Sequence, residues 1–140
     1  MRLTDGISRL HTGHPTTREC LGGRRPNEIP ILKDELVSIG GRVLLVPADL
    51  EQPSSAGEIF ESVTKGLGRP TSALILAHCE SAKSGILNTT LESFDRHFAV
   101  NARASWQLIR ELAAQVPETG GRIVALTSDH TVDNLPYGAQ

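Results

Sequence analysis

Aromatic residues are scarce in this 140-residue chain, which has three Phe, one Trp and one Tyr. That is too few for the base-stacking platforms of single-strand binders. Neither sign of charge dominates: 14 Lys and Arg stand against 16 Asp and Glu. Such a balance makes no field able to capture a nucleic acid or an anionic membrane. Cysteine is nearly absent. Cys20 and Cys79 lie far apart in no paired motif, so a disulfide framework is not expected and a reducing cytoplasm is the default compartment. No window holds the ~18 apolar residues of a spanning helix, and the N-terminus lacks an apolar export segment. Neither nucleic acid nor membrane is therefore an expected partner.

The length suits one domain with a real core. Residues 1–27 hold Gly6, Gly13, Pro15, Gly22, Gly23 and Pro26 without a sustained helical period, and read as irregular. From Ile31 the pattern is orderly. Ile31, Leu32, Glu35, Leu36 and Ile39 predict an amphipathic helix stopped by Gly40-Gly41. Arg42 to Val46 is a short apolar run, read as a buried strand with Asp49 beyond its end. A helix capped by Ser54 or Ser55 turns Ile59, Phe60, Val63 and Leu67 inward and closes at Gly66 and Gly68. Ser72 to Ala77 is a second strand. Thr89 and Glu92 have capping-box spacing. The long helix that follows is expected to bury Leu91, Phe94, Phe98, Ala102, Leu108, Ile109 and Leu112, to show Val100 and Trp106 on its other side, and to end at Pro117. Arg122 to Thr127 is a third strand, with Ser128 at its exit.

Apolar strands alternating with amphipathic helices predict an α/β fold. It is a Rossmann-like, doubly wound parallel sheet in three α/β/α layers, incomplete in this chain. Ligands of such sheets bind beyond the carboxyl ends of the strands. Asp49, His78-Cys79 and Ser128 are thereby expected on one rim.

The text at those ends resembles the short-chain dehydrogenase/reductase family, in particular its 3-oxoacyl-carrier-protein-reductase-like members. Ala48-Asp49-Leu50 looks like the family's acidic residue after the third strand, which holds the adenine amino group. Leu87-Asn88-Thr89-Thr90 through Val100-Asn101 looks like its fourth crossover, and Asn101 matches the asparagine of its catalytic tetrad. Gly121 to Ser128 resembles the strand that delivers the catalytic serine. Leu135-Pro136-Tyr137-Gly138 resembles the start of Tyr-x-x-x-Lys. The resemblance runs from about Ile31 to Gln140. It implies an NAD- or NADP-dependent reductase, NADP slightly favoured, acting on a small carbonyl substrate. Tyr137 would be the proton donor, Ser128 the hydrogen-bonder of the carbonyl, and Asn101 the relay. Gly6, Ser8 and Arg9 in a cofactor loop, Asp49 and Leu50 after the third strand, and Ala77 and His78 after the fourth would touch the cofactor. The long helix resembles one that family members pack against a second subunit, which implies self-association.

The departures are specific. Where the family usually reads Asn-Asn-Ala-Gly, this chain reads Leu76-Ala77-His78-Cys79. The partner lysine of the tyrosine would fall at the position after Gln140. Bringing a tyrosine from its free pKa of about 10 to neutrality takes ~3 units, roughly 4 kcal/mol, and the lysine is expected to provide much of that. In the Gly6–His14 segment Thr12 and His14 stand where the later glycines of the phosphate loop belong, and a Cβ there obstructs the backbone's approach to pyrophosphate. Only about two dozen residues separate Gly6 from the helix at Ile31, fewer than the ~30 of a strand-helix-strand unit. Residues 1–27 thus read as a remnant of the cofactor loop and 28–140 as a partial domain, with weak or absent cofactor binding and no activity in the 140-residue chain.

Without the resemblance, Tyr137 is a loop-packing residue, Ser128 starts a turn, and Asp49 is a common loop residue. Asn101 in a helix interior is unfavourable by propensity, which fits either a side-chain task, such as holding a water or bending the helix, or simple exposure. His78-Cys79-Glu80 and Ser128-Asp129-His130 contain hydrolase residue types, but neighbours in an extended segment face opposite ways, and the Gly-x-Ser-x-Gly elbow is missing. His78, Cys79, His97 and His130 have no metal-ligand spacing, so no metal is expected.

Overall fold

The computed structural model describes residues 8–11, 18–22, 34, 37–38, 42–82 and 84–127. Five strands form one sheet: β1 (Ser8–His11), β2 (Arg18–Gly22), β3 (Arg42–Leu45), β4 (Ala73–Leu76) and β5 (Arg122–Ala125), in the spatial order β3-β2-β1-β4-β5. The helices are α1 (Ser55–Leu67), α2 (Leu91–His97) and α3 (Ala104–Gln115), with a π-helical segment, Phe98–Arg103, joining the last two. Asp34, Val37 and Ser38 are helical, within the helix expected after Ile31.

The three strands read from the sequence are parallel members of this sheet. β2 pairs parallel with β3, and β4 pairs parallel with β5. β1 lies between the two pairs and runs antiparallel to both neighbours, with Ser8 opposite Gly22 and Arg9 opposite Ile75. The fold is α/β and Rossmann-like, and its sheet is mixed at the centre rather than wholly parallel. The first 27 residues are correspondingly not irregular throughout. Ser8 and Arg9, expected in a loop, begin a central strand. Residues 12–17 alone connect β1 to β2. That suffices for an antiparallel hairpin, whereas a parallel crossover takes a dozen residues or more.

The core lies between the sheet and the helices. α1 buries Ala56, Ile59, Phe60, Val63 and Leu67 on one stripe. Ser55 is already inside the helix, and its Oγ donates to the Asp49 carbonyl at 2.5 Å. Gly66 lets α1 seat on β3, since a Cβ there would stand 2.6 Å from Leu44 Cδ2. Gly68 ends the helix at φ +68° with its N–H on the Thr64 carbonyl, the left-handed cap that glycine adopts without strain. β4 turns Leu74 and Leu76 into the core and is not equally buried on both faces. β5 is an edge strand exposed along its whole length.

The long helix differs from expectation in two respects. Its N-cap is Thr90, which accepts from the Ser93 N–H at 3.1 Å, while Thr89 Oγ1 turns to the Gly85 carbonyl. Its buried face is Ala99, Val100, Ala104, Leu108 and Leu112, and Leu91, Phe94, Phe98 and Trp106 are exposed. Val100 and the Leu91-Phe94-Phe98 group therefore exchange places relative to the sequence reading. The helix carries two apolar stripes at i,i+4 spacing, and the one ending in Leu108 and Leu112 meets α1.

Candidate active site at the sheet rim

Because β3 and β4 point the same way, Asp49 and His78 leave the sheet on the same rim. Asp49 caps the turn after β3: its Oδ1 accepts from the Glu51 N–H at 3.0 Å. Leu50 beside it is half-buried and packs on the core with Ala48. Asp49 itself is exposed.

The loop after β4 is held by the π-helical segment. Asn101 Oδ1 accepts from the Glu80 N–H at 2.7 Å, and Asn101 Nδ2 donates to the Glu80 carbonyl at 2.9 Å. One amide thus satisfies both backbone groups of one loop residue. The wide turn of a π-helix often marks a functional site, and here it carries the asparagine that the sequence singled out. Helix bending and a side-chain task coincide at Asn101.

His78 sits behind this clamp. His78 Nε2 and Ser105 Oγ share a hydrogen bond at 3.0 Å, and Ser105 Oγ also lies 2.8 Å from the Asn101 carbonyl. Burial pushes the His78 pKa below the ordinary histidine value, and a hydrogen bond with the Val100 backbone partly opposes that shift. Ala77 is half-buried between β4 and His78. His97 braces the same loop. The Ala82 N–H must donate, so His97 Nε2 accepts it at 3.0 Å, and Nδ1 carries the hydrogen toward the Ser93 carbonyl at 2.6 Å.

Several rim residues had no recognisable sequence signal. Arg96 Nε lies 3.3 Å from Glu80 Oε2 and 3.8 Å from Glu51 Oε2, joining the loops after β3 and β4. Arg103 donates to the Glu51 carbonyl. Helical spacing of seven (103 − 96) puts both arginines on one face, but only the fold shows what that face meets. Beside the rim, Ser84, Ile86, Thr89, Thr90, Leu91, Phe94 and His97 line a depression of about 570 Å³. Among the described residues no three His, Cys, Asp or Glu side chains gather as a metal would need, and no helix is long and apolar enough to cross a membrane.

Tyr137, Ser128 and Gly6 lie outside the described residues, and for Ser8 and Arg9 the structure fixes the strand alone. The rim therefore brings together Asp49, Leu50, Ala77, His78 and Asn101 of the expected set. The pyrophosphate does not fit, because its cradle is a strand, a glycine loop and a helix opening on this rim, and β1 leaves the sheet in the opposite direction.

A family model described as enoyl-(acyl carrier protein) reductase matches residues 31–139. An NADPH-dependent aldehyde reductase-like protein of Arabidopsis thaliana is 28% identical over 117 residues, covering 81% of this chain and 43% of its own length. The oxidoreductase YjdA of Bacillus subtilis is 31% identical over 107 residues, covering 74% of this chain and 42% of its own. The chain thus spans about two fifths of these curated relatives. A short-chain dehydrogenase of Burkholderia cenocepacia J2315, solved with NADP, superposes with a TM-score of 0.76 at 19% identity, over 85% of this chain and 48% of that one. The matched segment follows β2 and runs through both rim loops. The chain belongs to the short-chain dehydrogenase/reductase family.

Proposed function

We propose that this chain carries the carbonyl-facing part of an NAD(P)(H)-dependent short-chain reductase, 3-oxoacyl-reductase-like in type, and that the polypeptide 1–140 does not itself turn over. The observation that carries the reading is the Asn101 clamp on Glu80, which fixes the backbone of the rim loop from a π-helical turn. In this reading Tyr137 is the proton donor, Ser128 holds the carbonyl oxygen, and Asn101 is the relay residue. The curated relatives named for NADPH-dependent aldehyde reduction support NADP over NAD for the complete domain. When bound, a nicotinamide cofactor supplies the hydride. General-acid catalysis, the role Tyr137 has in this reading, is typically worth ~10²–10⁴-fold in rate.

A second reading, a non-catalytic interaction module on the same scaffold, is favoured by the exposed Leu91, Phe94, Phe98 and Trp106. The test is NADPH oxidation by purified 1–140 with an aldehyde and with a 3-oxoacyl thioester. No turnover above buffer is expected, and turnover abolished by Tyr137→Phe overturns the proposal.

A further inference from the structure

The central slot of the sheet is filled by a strand running the wrong way for a dinucleotide. We infer that the reversed β1 removes the pyrophosphate cradle that the central strand would provide, so that NADPH gains nothing from its pyrophosphate there. This rests on the family reading above.

Three observations carry it. First, β1 pairs antiparallel with β2 and with β4, so its N-terminal residue, Ser8, stands at the rim where Asp49 and His78 emerge, and His11 stands at the opposite one. A phosphate cradle needs the chain to leave the central strand at the ligand rim and enter a helix whose N-terminal N–H groups face the anion. Here the chain leaves at the far rim. Second, residues 12–17 are all that separate β1 from β2, and ~10–12 residues are the least that a crossover with its helix occupies. Sequence length alone forbids that helix. Third, two arginines of the rim, Arg96 and Arg103, are turned to protein groups. Arg96 lies between the Glu51 and Glu80 carboxylates, and Arg103 donates to the Glu51 carbonyl. Their Nε atoms are enclosed by the protein. Asp49, Glu51 and Glu80 add carboxylates along the same rim, which repel a polyphosphate.

What survives is the pair of loops after β3 and β4, and neither depends on the phosphates. Adenosine and NADPH should therefore bind equally poorly.

Calorimetric titration of purified 1–140 with NADPH and with adenosine tests the consequence. The expected result is two dissociation constants within about threefold of each other, or no measurable binding of either. NADPH binding about tenfold or more tighter than adenosine overturns the inference. NADPH bound tightly without turnover would sink this inference and leave the proposed inactivity standing. Tyr137-dependent turnover would sink the inactivity instead.

Strand direction is tested separately, in a Cys20→Ser, Cys79→Ser background. His11 is opposite Ala73 in the observed register, so His11→Cys with Ala73→Cys should oxidise readily to a disulfide. Arg9→Cys with Ala73→Cys should not, because Arg9 is two residues away along the strand, a displacement of ~6.6 Å that adds to the strand spacing and exceeds disulfide reach. A parallel β1 reverses the two rates. Faster bridging of the first pair supports the inference, and any other ranking overturns it.

Discussion

Asn101 and Glu80, twenty-one residues apart, are joined by both groups of one side-chain amide to both groups of one backbone unit, at 2.7 and 2.9 Å. Asn101 itself is solvent-exposed, so its value is conformational: it holds the loop after β4 against the π-helical turn.

Replacing Asn101 by Ala deletes two hydrogen bonds, each worth about 1 kcal/mol, and recovers roughly 0.5 kcal/mol of helix propensity. A net loss of about 1–1.5 kcal/mol is expected, or a fall in Tm of several degrees by thermal unfolding. Asn101→Asp should not rescue it, because the carboxylate has no N–H for the Glu80 carbonyl.

The two faces of the long helix are separable by mutation. Leu108 is 0% exposed and Phe98 63% exposed. Leu108→Ala should cost about 2–5 kcal/mol, whereas Phe98→Ala should stay within about 0.5 kcal/mol. Denaturant midpoints measure both. Equal losses would show that Phe98 belongs to the core.

The sequence pattern was legible where one period dominated. α1 has a single apolar stripe, and β3, β4 and β5 are short apolar runs between helices, so their order and common direction could be read. The long helix misled because Phe94, Phe98, Ala102 and Trp106 repeat every four residues on one side while Val100, Ala104, Leu108 and Leu112 do so on the other. Two apolar stripes give periodicity no means of choosing the core. β1 and β2 were missed because Ser8–His11 and Arg18–Gly22 mix charged and apolar residues over four and five positions and lack an Asn-Gly type turn. The Asn101 site was flagged by its poor fit to a helix interior; Arg96 and Arg103 suit a helix surface and raised no flag.

His78 makes the fold sensitive to acid. Burial favours its neutral form in the folded state, so the folded pKa lies below the free value of about 6.5. The unfolded chain takes up the proton first as pH falls. His78 therefore leaves stability undiminished above about pH 6.5, and stability declines as pH drops through the interval down to the folded pKa. Unfolding midpoints measured across pH 7.5 to 5 should show that decline (roughly a one-proton slope), and His78→Gln should flatten it.

The exposed stripe predicts association between copies. Leu91, Phe94, Phe98 and Trp106 form a continuous apolar face, extended by Ile86 and Leu87, which are almost fully exposed. Patches of this kind mark interaction surfaces, and the edge strand β5 adds unpaired backbone groups. Light scattering after gel filtration should find species above monomer mass, and Phe98→Glu should shift them toward monomer. A monodisperse monomer in the parent chain rejects the prediction.

β1 has one further consequence, for the order of assembly. All hydrogen bonding between the β3-β2 and β4-β5 halves of the sheet passes through the four residues Ser8–His11. Its pairing with β2 is a local hairpin, of the kind that closes in ~1–10 μs, while its pairing with β4 joins Leu10 to Leu74, sixty-four positions away (74 − 10). Closing that long segment is the slower event. In pulse-labelled refolding the amides of β2 should gain protection before those of β4, so the two halves mature at different times and meet last along a four-residue seam.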